Sequence, residues 1–133
     1  MTYLLDVNAL VALGFQQHEF HNRVISWIMQ EKQPLLIATC SITELGFARI
    51  LTQASVYGLS VAQAQSLLAR VKKNESTRFA FFCDDHNLSH LPNWVHAPKQ
   101  ITDGHLAQLA TANGAALATL DERIPGAFFI PKS

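Results

Sequence analysis

The chain has 133 residues, 49% of them hydrophobic and 15% charged, with ten basic and ten acidic side chains and no net charge. That length predicts one domain spanning residues 1–133, able to bury roughly two-thirds of the surface its unfolded form would expose without disulfides or a structural metal. The composition excludes a disordered chain, and no apolar run reaches the roughly 18 residues that a membrane span requires, so no membrane association is expected.

Tyr3-Leu4-Leu5 is an apolar run that stops at Asp6 and turns helical through Ala9, Leu10, Ala12 and Leu13. His18-Glu19-Phe20-His21 leads into a second helix with Val24, Ile25, Ile28 and Met29 on one face. Gln33-Pro34 breaks that helix, and Leu35 to Cys40 has the length and continuous apolarity of a strand buried on both faces. Ser41-Ile42-Thr43-Glu44 has capping-box spacing and opens a helix that continues toward Leu59. Ser60-Val61-Ala62-Gln63 is a second box, followed by Ala64, Leu67, Leu68 and Val71 on one face and by Lys72-Lys73, whose cations suit a helix C-terminus. Phe79 to Cys83 predicts a third strand, ended by Asp84-Asp85-His86-Asn87, and Leu88 to Gln100, with Pro92 and Pro98, predicts an irregular connection. Thr102-Asp103 caps a helix holding Leu106, Leu109 and Ala110, with Gly114 as its C-terminal cap. Ala115 to Leu120 is the fourth strand, ending at Asp121, and Phe128-Phe129-Ile130 is a short last one. The alternation predicts an α/β fold of three layers, α/β/α, around a central, mainly parallel sheet of four or five strands.

Four acids stand at the junctions of this pattern. Asp6 and Asp121 follow strands, while Glu44 and Asp103 begin helices, and in a parallel α/β layout these junctions share the sheet edge where ligands bind. Each also has a purely structural explanation: an Asx turn for Asp6 with Asn8, the capping box for Glu44, a helix start for Asp103, and the turn before Pro125 for Asp121. Carboxylates gathered together repel one another and call for a cation, and an all-oxygen donor set suits Mg2+ or Mn2+. Magnesium keeps several waters and engages phosphates, which points to phosphodiester chemistry. With four acids gathered, six remain against ten bases, so the rest of the surface carries about +4 and a polyanionic partner stays open despite the zero net charge.

The ordered set Leu4-Leu5-Asp6-Val7-Asn8-Ala9-Leu10, Thr43-Glu44-Leu45-Gly46, Ile101-Thr102-Asp103-Gly104-His105-Leu106-Ala107 and Ala118-Thr119-Leu120-Asp121-Glu122-Arg123 resembles the PIN-domain family, and within it the VapC-type toxins of bacterial toxin-antitoxin pairs. The resemblance spans essentially the whole chain. It implies a metal-dependent endoribonuclease that hydrolyses RNA with a metal-activated water, is held inactive by a small cognate antitoxin, and is commonly a homodimer. On this resemblance Asp6 and Asp103 match the principal metal ligands and Glu44 and Asp121 the other acidic positions. Asn8, Thr102 and Thr119 fall where small polar residues orient the acids. Gly104 stands where alanine is more usual, and no pronounced basic face is evident.

Arg49, on the Glu44 helix, and Arg123, beyond Asp121, are candidates for phosphate contacts, with a plain surface role as the alternative. His18 and His21 have a spacing that suits zinc but lack a third ligand, and Asp84-Asp85 reads as a turn cap rather than a second acidic site. Phe79, Phe81 and Phe82 read as core rather than as base-stacking rings, and Trp27, off the apolar face of its helix, reads as a dimer or antitoxin contact. Cys40 and Cys83 lie in apolar runs without C-x-x-C spacing, which predicts buried thiols in a reducing, cytoplasmic setting. Asp6 interrupts the apolar N-terminus, so no signal peptide is expected. Two other functions compete. A haloacid-dehalogenase-like phosphatase would use Asp6 as nucleophile, although Asn8 stands where that family has a second Asp. A non-catalytic RNA- or protein-binding module would have no need of four acids.

Overall fold

The computed structural model describes residues 1–132 and has five parallel strands in the order β3-β2-β1-β4-β5. In chain order the elements are β1 (Thr2–Leu5), α1 (Val7–Gly14), α2 (His21–Gln30), β2 (Leu35–Cys40), α3 (Ser41–Gln53), α4 (Val61–Lys72), β3 (Thr77–Phe82), α5 (Ile101–Ala112), β4 (Ala116–Thr119) and β5 (Phe128–Phe129). Two 3-10 turns, Leu88–His90 and Pro98–Gln100, punctuate the connection before α5. No helix among the described residues is long and apolar enough to cross a membrane.

The strands read as continuous apolar runs because both sheet faces are covered. Leu5, Ile37 and Ala118 pack with Leu10, Val24, Phe47 and Leu68 from α1 to α4 on one face. Leu4, Ala38 and Leu117 pack with Leu106, Leu109 and Ala110 of α5 on the other. Fully burying each of these leucines is worth roughly 1.5–3 kcal/mol, so the two faces anchor β1 at the centre of the sheet.

Several local expectations shift. Helix α3 stops at Gln53 instead of running toward Leu59, and β3 starts at Thr77. Helix α5 continues from the Pro98–Gln100 turn with Gln100 as its N-cap, so Thr102 and Asp103 lie inside its first turn rather than capping it. Gly114 does close α5, with φ of 68° and the Ala115 N–H reaching the Ala110 carbonyl at 2.8 Å. Trp27 is buried at 3% exposure, edge-on to Tyr3 and tilted against Phe128, so it is core rather than a partner contact. Phe81 is half exposed at the sheet margin, and Cys83 is exposed while Cys40 is buried. His21 donates from Nδ1 to the Ala12 carbonyl, and His18 Nδ1 accepts from the Phe20 N–H; both rings thus serve the α1-to-α2 turn.

Candidate active site

The chain winds outward from β1 to β3 and then returns to place β4 on the other side of β1. The carboxyl ends of β1 and β4 therefore flank a topological switch point, where no helix connection fills the crevice. Asp6 leaves β1 there, and its N–H reaches the Ala118 carbonyl of β4 at 3.1 Å.

Asp6 is both a helix cap and a buried charge. Its Oδ1 accepts the Ala9 N–H at 2.9 Å as N-cap of α1, and its Oδ2 accepts the Thr119 hydroxyl at 2.5 Å, leaving the residue 7% exposed. Burial pushes its carboxyl from the ordinary 3.8 to about 6; the two hydrogen bonds oppose this, and the charges of Asp103 and Asp121 add to it. Asp103, in the first turn of α5, is also raised, by burial and then by Asp121, with Arg123 opposing. Asp121 is held below the usual range, first by the Arg123 side chain, whose Nε and Nη2 donate to Oδ1 at 2.9 Å and Oδ2 at 3.1 Å, and then by the Arg123 N–H. Thr119 joins two of these acids, accepting the Asp121 N–H at 2.9 Å while donating to Asp6.

Glu44 has partners of its own. The capping box of α3 is made by Cys40 and Thr43, whose hydroxyl accepts the Cys40 N–H at 3.0 Å, so Glu44 is not spent on the helix start. Its Oε2 instead accepts the Thr39 hydroxyl at 2.6 Å and the Lys72 ammonium at 2.5 Å. The charges acting on Asp6 are those of Asp103 and Asp121; the Glu44 carboxylate is neutralised by Lys72. Among the described residues no three His, Cys, Asp or Glu side chains converge as a ready metal cage.

A cleft of about 620 Å³ opens from Asp6 and Asp121, with Asn8, Phe20, Arg23 and Lys132 among its lining. Asn8 is exposed on this wall, whereas Thr102 and Arg49 are exposed and outside it. The sequence reading missed Thr39, Lys72 and Arg23. Thr39 had a local signal, since the Ala-Thr pair Ala38-Thr39 stands one residue before the end of its strand and Ala118-Thr119 ends its own. Lys72 and Arg23 had none, because their partners lie 28 and 107 residues away.

No family model matches the chain. Ribonuclease VapC38 of Mycobacterium tuberculosis is 38% identical over 122 residues, covering 89% of this chain and 84% of that one. Ribonuclease VapC44 of the same organism is 37% identical over 131 residues, covering 93% and 89%. The fold is similar to that of M. tuberculosis VapC20, a sarcin-ricin loop cleaving toxin, at a TM-score of 0.62 and 10% identity over 98% of this chain and 99% of that one. It is also similar to VapBC2 of Rickettsia felis, solved bound to a DNA fragment from its promoter, at a TM-score of 0.56 and 18% identity over 97% of both chains. With identities well above 30% across most of both sequences, this chain belongs to the VapC ribonuclease family.

Proposed function

We propose that this chain is a divalent-metal-dependent endoribonuclease that hydrolyses RNA phosphodiester bonds, with Asp6, Glu44, Asp103 and Asp121 as its acidic centre. The observation that carries the reading is the gathering of Asp6, Asp103 and Asp121 at the switch point, where burial pushes the carboxyls of Asp6 and Asp103 upward and acid neighbours add to it, Asp103 and Asp121 for Asp6 and Asp121 for Asp103. Crowding of that kind suits a cation, and the donor set is all oxygen, which fits Mg2+ or Mn2+. Magnesium takes only one or two protein carboxylates and fills its remaining positions with water and phosphate, so a closed cage is not required. Asp6 and Asp103 would hold the ion, with Glu44 and Asp121 completing its surroundings. When bound, such an ion supplies a Lewis acid that makes hydroxide available near neutral pH and offsets charge at the phosphate.

The chain's own groups prepare this chemistry. Thr119 and the Ala9 N–H fix the plane of the Asp6 carboxylate, so its rotation is not lost anew at each turnover. Thr39 does the same for Glu44, while Lys72 holds its charge in check. Arg123, forked onto Asp121, is exposed and within reach of a phosphate that approaches the same edge.

Because the VapC relative from Rickettsia felis was solved as a VapBC pair, we extend the reading to regulation: this chain acts as the toxin of a type II pair, pairs with itself as a homodimer, and is silenced by a small antitoxin. An arginine of that partner placed among the acids would compete with the metal, by the same fork that Arg123 makes on Asp121. The test is cleavage mapping on RNA with purified protein, with and without Mg2+ or Mn2+, beside Asp6→Asn and Asp103→Asn. Metal-dependent cutting lost in both variants is expected. Intact RNA with folded, antitoxin-free wild type, or wild-type rates in either variant, would refute the assignment.

A further inference from the structure

One wall of the cleft has a construction that folding alone does not explain. Phe20 is 38% exposed and occupies the N-cap position of α2, where it makes no side-chain capping bond and where Ser, Thr, Asp or Asn would stabilise the helix. Next to it, Arg23 is partly buried. Its Nε and Nη2 both donate to the Ile130 carbonyl, at 3.1 and 2.5 Å, and its guanidinium carbon lies 4.8 Å from the Phe129 ring centre and 5.7 Å from that of Phe20. Among the described residues no carboxylate pairs with Arg23. A guanidinium has five N–H donors, and two are spent on Ile130, which leaves three. The contact with Ile130 locks the group in place, so those donors are preorganised and little entropy is lost when they are used.

The same cleft holds Lys132, and it runs to Asp6 and Asp121. Glu19 and Glu122 line it as well, so a bare polyphosphate does not suit it. A nucleotide does, since it brings a π-face for Phe20 and for the flat guanidinium, and a phosphate for the remaining donors. We propose that Phe20, Arg23 and Lys132 form a subsite for one nucleotide of single-stranded RNA adjacent to the phosphate that is cut. This rests on the ribonuclease reading above and adds to it where the substrate is gripped: an aromatic and guanidinium platform takes the place of a broad basic face.

The experiment measures binding and turnover separately. A short fluorescein-labelled single-stranded RNA of mixed sequence is titrated with wild type, Phe20→Ala, Phe20→Tyr and Arg23→Lys in chelator, and anisotropy is read. Phe20→Ala is expected to bind at least about fivefold more weakly, the loss typical of one stacked base, and Phe20→Tyr to bind as wild type. Arg23→Lys, which keeps the charge but not the plane or the fork, is expected to weaken binding similarly with an unchanged salt slope. In manganese the losses should fall on KM rather than kcat. If Arg23→Lys does not fold, Phe20→Ala decides, since that exposed ring bears on no core. Wild-type RNA affinity in Phe20→Ala overturns the subsite, as does unchanged RNA affinity with weakened antitoxin binding, which would assign the wall to a protein partner. Wild type that binds this RNA in the predicted way but cuts no RNA would refute the ribonuclease reading and leave the subsite standing.

Discussion

Replacing Asp6 by Asn separates the cost of the site from its benefit. The folded carboxyl titrates at about 6 against an ordinary 3.8, a gap of roughly two units, with burial as the largest cause. At about 1.4 kcal/mol per unit, the metal-free fold is destabilised by about 3 kcal/mol once Asp6 is fully ionised. The sign follows from proton counts: between about pH 4 and 6 the folded chain holds a proton that the unfolded chain has released, so stability falls as pH rises through that window. Asn cannot ionise and still caps α1 by accepting the Ala9 N–H on its one oxygen, but it places an NH2 donor where Oδ2 of the carboxylate accepts the Thr119 hydroxyl. Leaving that buried hydroxyl short of an acceptor costs about 1–2 kcal/mol, so Asp6→Asn should gain about 1–2 kcal/mol at pH 7. For a chain of this size that is a rise of about 4–8 °C in melting temperature. The assay is thermal or urea unfolding in chelator from pH 4.5 to 8, where the advantage should shrink steadily toward acid. An Asn variant no more stable than wild type at pH 7, or an advantage independent of pH, would refute the account of a strained, buried carboxylate.

Thr39→Val should lower RNA cleavage about 10–100-fold, because Glu44 loses the hydroxyl that aims it, while Glu44→Gln should cut activity at least as much yet alter unfolding free energy by less than about 1 kcal/mol, its pair with Lys72 being partly exposed. Paired melts and rates decide this; a large stability loss in Glu44→Gln with full activity would make it a structural acid. Gly46→Ala places a Cβ 2.6 Å from one Val7 methyl and 3.1 Å from the other, and the overpacking cost of about 1–3 kcal/mol should exceed the helix-propensity gain of about 1. Urea unfolding should show net destabilisation; a more stable variant would mean that α1 and α3 do not meet there. Asp84 accepts His105 Nε2 at 2.5 Å, and although burial pushes its carboxyl up, that bond, the His86 N–H and the two imidazoles hold it below the usual range. It thus adds stability above the ordinary carboxylate range that is lost as pH falls through its depressed value; urea unfolding of Asp84→Asn should show an unfolding free energy lower by about 1 kcal/mol at pH 7, with the gap closing in acid.

What the sequence reveals here depends on how local the determinant is. The four strand ends, the two proline breaks and the Gly114 cap are short-range patterns, and the parallel layers followed from them. Trp27 has a local signal for burial, standing three residues after Val24 and one before Ile28 on the stripe that packs, whereas Met29, expected on that face, is the residue that faces solvent. Phe81 was not readable, since its exposure comes from β3 lying at the sheet edge, and strand order is not written in any one segment. Exposure of Cys83 has the same origin, one residue past the end of that edge strand.

The two threonines show how a local motif acquires meaning only from topology. Thr39, one residue before the end of β2, and Thr119, the last residue of β4, stand on the two strands that flank β1, and both side chains are fully buried. A buried hydroxyl needs an acceptor, and at the carboxyl edge each finds a carboxylate: Glu44 for Thr39 and Asp6 for Thr119. The two bonds differ in reach, five residues in one case and 113 in the other. The first holds an acid against its own strand, where Lys72 neutralises it; the second ties the first strand to the fourth, so the charge on Asp6 is shared with whatever occupies the switch point. A Thr119→Val substitution would therefore disturb Asp6 and Asp121 together, because the same oxygen also receives the Asp121 N–H, whereas Thr39→Val touches Glu44 alone. Unequal damage from two chemically identical changes, greater at Thr119, is the consequence of placing β1 between them.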